Sequence, residues 1–133
     1  KAGALQFYLQ NPTYKENGYV DKEGCVMAEM ATCLEGKDNC DWQNTKIVVK
    51  LGTPDLLAII SAIKTNTPAK LYHKTDEASK SINIEPGTNG TFKWSVKAME
   101  GEKTIFFNTF LSVQDALLLV LLFEAAVPKI YGW

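Results

Sequence analysis

Apolar and polar residues alternate along most of this chain, and the spacing switches to that of a helix twice. Successive side chains on a strand point to opposite faces, so alternation marks half-buried strands; apolar residues three and four apart mark one face of a helix. Strand-like stretches run over Gly3–Gln10, Tyr19–Val20, Cys25–Cys33 and Trp42–Leu51. A helix follows, with Thr53 as N-cap, Pro54 at the first helical position, Asp55 in the first turn, and apolar residues at Leu56, Leu57, Ile59, Ile60 and Ile63. The plan then repeats. Lys70–Lys74, Ser81–Glu85, Thr91–Ala98 and Thr104–Phe110 read as strands, separated by turns at Pro86–Gly90 and Glu100–Glu102. A second helix opens on Ser112, with Asp115 completing a capping box, and is expected to stop before Pro128. Strands then a helix, twice over, predict a single α+β domain over 1–133 with pseudo-repeats of roughly 1–66 and 67–133.

The second helix breaks the usual surface pattern. From Ala116 to Val127 its one charged residue is Glu124, whereas a surface helix of a small domain carries a polar stripe. Either its own sheets wrap it completely or part of it meets another subunit. The expectation taken here is an oligomer contact.

Alternation also assigns faces. In Trp42–Leu51 the residues Ile47, Val49 and Leu51 share one face, while Trp42, Asn44, Lys46, Val48 and Lys50 share the other. Phe92, Trp94 and Val96 oppose Lys93, Ser95 and Lys97; Lys70, Tyr72 and Lys74 oppose Leu71 and His73; Leu5, Phe7 and Leu9 oppose Ala4, Gln6 and Tyr8. Four strands therefore present an outer face mixing Lys with Tyr, Trp, Gln and Asn. Many of the acids fall in turns: Glu16, Asp21 and Glu23; Glu35 and Asp38; Asp76 and Glu77; Glu100 and Glu102.

Composition now changes the picture. The 133 residues are 46% apolar, enough for a core, and 14 basic against 15 acidic residues give a net charge of -1, which excludes a histone-like or polybasic protein. Every basic residue is Lys, so no guanidinium fork exists to grip a guanine edge or a phosphate bidentately. Lysines on strand faces do suit a polyanion as point charges, and the interleaved rings suit unpaired bases. Such lysines also serve solubility and guard sheet edges, and such a sheet equally fits a protein partner; the pattern alone leaves these open.

Signals for other chemistry are weak. Cys25, Cys33 and Cys40 form no CxxC and the chain has one His, His73, so no metal site or cofactor is expected. A Cys33–Cys40 bridge is conceivable across a loop, but reduced thiols are the expectation. No P-loop, dinucleotide fingerprint or triad pattern accompanies His73, and Asp76–Glu77 reads as a solvated turn, so no enzyme activity is expected. Asn89-Gly90 reads as a hairpin turn rather than as a glycan site. The longest apolar run, Ala116–Phe123, is short of the roughly 20 residues of a membrane span, which predicts a soluble chain with no membrane partner. Because the chain opens on Lys1 rather than Met, an N-terminal segment is expected to have been removed, and any targeting signal with it.

A set of short stretches, in order, resembles the Whirly family of single-stranded-DNA-binding proteins over nearly the whole chain. They are Lys1-Ala2-Gly3-Ala4-Leu5, Asp21-Lys22-Glu23-Gly24, Asp41-Trp42 with Lys46 and an apolar strand, Tyr72-His73, Ile84-Glu85-Pro86 with a glycine turn and Trp94-Ser95-Val96, and Pro128-Lys129-Ile130-Tyr131-Gly132-Trp133. The resemblance implies two antiparallel four-stranded sheets packed together, each half followed by a helix (ββββα twice), and homotetramers built through the helices. It further implies single-stranded DNA bound along the sheets largely independently of sequence, in replication, recombination or repair. Related folds that bind guide RNA or regulate transcription keep RNA as an alternative partner, and an oligomeric protein-binding scaffold is the competitor from another class. The expected contacts are Trp42, Lys46, Lys50, Tyr72, Lys74, Lys93, Lys97, Gln6 and Tyr8, with lysines on phosphates, rings on bases and Gln6 as a hydrogen-bonding group; Phe92 and Trp94 are expected in the core. One departure stands out. The family opening Lys-Gly-Lys-Ala-Ala-Leu aligns so that Ala2 replaces the lysine associated with assembly of tetramers into larger particles. The absence of Arg and abundance of Lys and Asn fit an AT-rich genome, so an intracellular setting in a bacterium or phage-infected host, or an organelle nucleoid, is expected.

Overall fold

A computed structural model describes residues 3–35 and 39–133. In chain order the elements are β1 (Gly3–Gln10), β2 (Thr13–Tyr14), β3 (Val20–Lys22), β4 (Cys25–Thr32), β5 (Ile47–Leu51), α1 (Thr53–Thr65), β6 (Ala69–Lys74), β7 (Ala78–Pro86), β8 (Phe92–Glu100), β9 (Lys103–Leu111) and α2 (Val113–Ile130). The strand–helix plan does occur twice, and all pairings are antiparallel. The expected pair of four-stranded sheets is corrected: one sheet has the order β1-β4-β5, a second has the order β6-β7-β8-β9, and β2-β3 is a separate two-stranded hairpin.

The reason lies at both ends of that hairpin. Pro12, buried just after β1, has no N–H to extend the ladder. Gly24, just before β4, gives its N–H to the carbonyl of Ile130 at 2.9 Å. Any side chain at Gly24 would strike the carbonyl oxygen of Gln10, so the backbone passes too close there for another residue. The chain between them leaves the first sheet as a hairpin pinned to the end of α2.

The two main sheets bury their inner faces in one core. Val26, Ala28, Met30, Ile47, Val49 and Leu51 come from the first sheet; Ile82, Ile84, Phe92, Trp94, Val96 and Phe107 come from the second. Phe7 joins the layers, its ring edge-on to Trp94 at 5.7 Å and to Phe123 of α2 at 5.2 Å. Each large apolar side chain removed from water here contributes about 1.5–3 kcal/mol. Phe92 and Trp94 are thus core residues, as the alternation predicts. Lys80 falls in the inner-facing set of β7, but its Nζ donates to the carbonyl of Val48 and ties the sheets at the core margin. At the open edge of the second sheet, Gly3 rests so close to β9 that a side chain would run into the Phe107 ring.

The helix ends differ from expectation in two places. Gly52, not Thr53, is the N-cap of α1, because the Asp55 carboxylate reaches back to accept the Gly52 N–H at 3.1 Å. The helix ends at Asn66, which takes the left-handed conformation (φ 52°). α2 starts as predicted, with Ser112 Oγ accepting the Asp115 N–H and Asp115 Oδ2 accepting the Ser112 N–H, each at 3.1 Å. It does not stop before Pro128 but carries that residue in its last turn. There the missing N–H costs one bond, to a carbonyl on the exposed side of the helix.

Two further expectations are overturned. Cys33 and Cys40 are bonded as a disulfide, since the chain returns on itself and sets them opposite each other as a bridge pair; Cys25 is the free, buried thiol. Trp42 is not on a strand. Asp41 accepts the Asn44 N–H on its side chain and the Thr45 N–H on its carbonyl, winding the stretch into a turn, so that β5 begins only at Ile47. Lys1 and Ala2, the first two residues of the family-like opening, lie outside the described residues, as does Asp38. Among the described residues no helix is long and apolar enough to cross a membrane.

Candidate nucleic-acid interface

Because the sheets share their inner faces, their outer faces point away from one another. Strand register lays out the second sheet's outer face in four rows: Glu85–Lys93–Phe110, Lys70–Asn83–Ser95–Asn108, Tyr72–Ser81–Lys97–Phe106 and Lys74–Ser79–Met99–Thr104. Three rings on it stand in solvent, Tyr72 at 63%, Phe106 at 66% and Phe110 at 72% exposure. The ammonium of Lys97 lies 5.8 Å from the centroid of the Phe106 ring, its direct cross-strand neighbour. Among the described residues, the lysine ion pairs are Lys46–Glu29 and Lys64–Glu124, and Lys70, Lys74, Lys93 and Lys97 are in neither. Four uncommitted cations and three bare rings share one surface.

The first sheet's outer face is built from the same residue types with a different result. Rows run Tyr8–Met27–Lys50 and Gln6–Glu29–Val48. Glu29, at the centre, takes the Lys46 ammonium on one oxygen at 3.3 Å and the Gln6 amide on the other at 2.8 Å. Near the end of this face the Cys25 thiol approaches Gln10 Oε1 at 3.5 Å. Burial pushes that thiol above its ordinary value of 9.0, against a smaller opposing pull from Lys50.

The nine residues singled out from the sequence therefore do not converge. Tyr72, Lys74, Lys93 and Lys97 lie together on the second face; Gln6, Tyr8 and Lys50 lie on the first, with Lys46 beside them and bound to Glu29. Trp42 belongs to neither. The expected segregation of acids into turns is incomplete as well, since Glu29 and Glu85 stand on the faces themselves. Sequence reasoning passed over Phe106 and Phe110, although they share parity with Asn108 within a recognised strand.

Two other surfaces adjoin the sheets. A cleft of about 270 Å³ opens between β1, β9 and α2, beside Phe110, with Gly3, Leu5, Phe7, Leu118 and Leu122 in its walls. Along α2, Leu117, Leu118, Leu121 and Leu122 are 49–67% exposed, so the sheets of this chain leave that face of the helix bare. His73 Nε2 lies 3.1 Å from Asp55 Oδ2, an oxygen already accepting the Gly52 N–H, and links β6 to the start of α1. Among the described residues no group of three or more His, Cys, Asp or Glu is placed to hold a metal ion.

No known family model matches the sequence, and no curated protein does. Solved structures do match in fold. WHY1 from Arabidopsis thaliana superposes with a TM-score of 0.89 at 16% identity, covering 100% of this chain and 82% of that one. The plant transcriptional regulator PBF-2 gives 0.84 at 21% identity, covering 100% of this chain and 79% of that one. A guide-RNA-binding protein complex bound to its RNA is more distant, at 0.58 and 9% identity, covering 98% and 94%. The fold is Whirly-like.

Proposed function

We propose that this chain binds single-stranded nucleic acid, DNA in the first instance, largely without regard to sequence, and shields exposed strands during replication, recombination or repair. The observation that carries this reading is the second sheet's outer face, where exposed rings stand among lysines that make no ion pair with the described residues. Lysines attract phosphates as point charges, while each ring offers an unpaired base a stacking surface worth about 1–3 kcal/mol. In a duplex both faces of every base are already stacked and the rings gain nothing. The face therefore selects for single strands, and the lack of Arg fits indifference to base identity. No chemical step is assigned to it; the protein acts by binding. The likeness to WHY1 and PBF-2 supports the reading at the level of fold.

RNA is the second reading, favoured by the likeness to the guide-RNA complex. The bare leucines of α2 support assembly into a homotetramer through the helices, which would present several binding faces on one particle. The deciding experiment is a titration of fluorescent oligo(dT), the matching RNA and duplex DNA of equal length at two salt concentrations. The expected result is preference for single strands, with a log–log salt slope of about -0.7 per phosphate contacted. Absence of single-strand binding at low salt would overturn the proposal and leave a protein-binding scaffold in its place.

A further inference from the structure

The second sheet's outer face carries an ordered pattern along its last two strands. Going along β9, the outward residues are Phe106, Asn108 and Phe110, and directly across on β8 stand Lys97, Ser95 and Lys93. Each ring is thus paired with a lysine, and the rung between them pairs an amide with a hydroxyl. Outward residues on a strand recur every ~6.8 Å, two steps of about 3.4 Å. That interval is about twice the ~3.4 Å rise between stacked nucleotides. A single strand stretched until its bases separate matches the ladder one nucleotide to a rung.

Resting on the reading above, we propose that β8 and β9 form a three-nucleotide subsite in which the strand runs parallel to them. The flanking bases lie on Phe106 and Phe110, their phosphates pass over Lys97 and Lys93, and the middle base is met edge-on by the Asn108 amide with Ser95 beside it. An amide offers both a donor and an acceptor, so it distinguishes base edges where a ring does not. The subsite gives a mild base preference at its middle position on an otherwise indifferent surface. The competing path crosses the sheet along Tyr72–Ser81–Lys97–Phe106, with its two rings about 14 Å apart over three strand spacings and one lysine on the way. That path supplies half the charge and leaves Phe110 unused.

The test measures Kd of the native protein and of F106A, F110A, Y72A and N108A for dT, dA and dC homopolymers of one length, with thermal melts to confirm folding. Both β9 rings are largely exposed, so their removal leaves the core intact. F106A and F110A should each lose about 5- to 150-fold on all three homopolymers, and F110W should restore binding. N108A should narrow the native spread among homopolymers while shifting mean affinity less than about tenfold. K93A and K97A should each remove about 0.7 from the salt slope. If F110A is silent while Y72A and F106A both lose affinity, the strand crosses the sheet and the ladder is refuted. Equal native affinity for all three homopolymers, or an unchanged ranking in N108A, refutes the middle rung. Failure of the native protein to bind any single strand refutes the proposed function as well, which separates the two claims.

Discussion

The two outer sheet faces begin from one recipe, lysine alternating with apolar and aromatic residues, and differ in how much of their charge is already paired. On the first, a single carboxylate placed mid-face absorbs Lys46 and Gln6, so the nearest cation and amide are spent inside the protein. On the second, Glu85 sits in an end row opposite Lys93, Lys93 makes no ion pair with it among the described residues, and the rings beyond are uncovered. Residue type alone does not make a binding surface. What decides is whether cross-strand neighbours consume the charges before a ligand arrives. The inner faces show the contrary: both sheets contribute alike to one core.

That contrast fails first if the core is not shared. Trp94→Ala in the second sheet should cost about 3–5 kcal/mol and Leu51→Ala in the first about 2–5 kcal/mol. Both should appear as a lower midpoint of one denaturant transition, and two separate transitions would show independent sheets. Next in size is charge reversal. K93E/K97E should weaken oligo(dT) binding about 100-fold near 0.1 M salt, whereas K46E/K50E should cost less than about fivefold. Equal losses would erase the distinction between the faces. Glu29→Gln then tests its cause: with Lys46 released, one added phosphate contact should steepen the salt slope by about 0.7 and raise affinity about fivefold.

The smallest effect concerns the Cys25 thiol, at the margin of the first face. Folding favours its neutral form, since burial raises its pKa above 9.0. Its contribution to stability is therefore present below pH 9.0 and is lost as the pH rises through the raised folded value. Cys25→Ser should flatten the alkaline limb of a stability–pH curve. Alkylation of the native thiol should also lag far behind that in denaturant at pH 8.

Face assignment was legible in the sequence wherever one parity was apolar and the other was not. Phe92, Trp94 and Val96 against Lys93 and Lys97 allow only one orientation. β9 carries Phe106 and Phe107 side by side, so aromatic residues occupy both parities and alternation cannot say which faces water; Phe106 and Phe110 were missed for that reason. Trp42 failed for a local cause, Asp41 capturing the Asn44 N–H on its side chain and the Thr45 N–H on its carbonyl, which winds the stretch into a turn. Glu29–Lys46 and Lys97–Phe106 depend on strand register, a non-local property absent from any window of sequence. The Cys33–Cys40 bond likewise depends on the two residues meeting across a returning chain.

The bond from Gly24 to the carbonyl of Ile130 has a consequence for the order of events during synthesis. A ribosome adding about 5–20 residues per second needs roughly 5–20 s to travel from one partner to the other. Through that interval the β2–β3 hairpin has been made but has nothing to seat against. The apolar side of the first sheet, finished at Leu51, also waits for Trp94 and Phe123. A nascent chain of this protein carries its first half only partly covered until α2 emerges, and that is the span in which a chaperone would find most to hold.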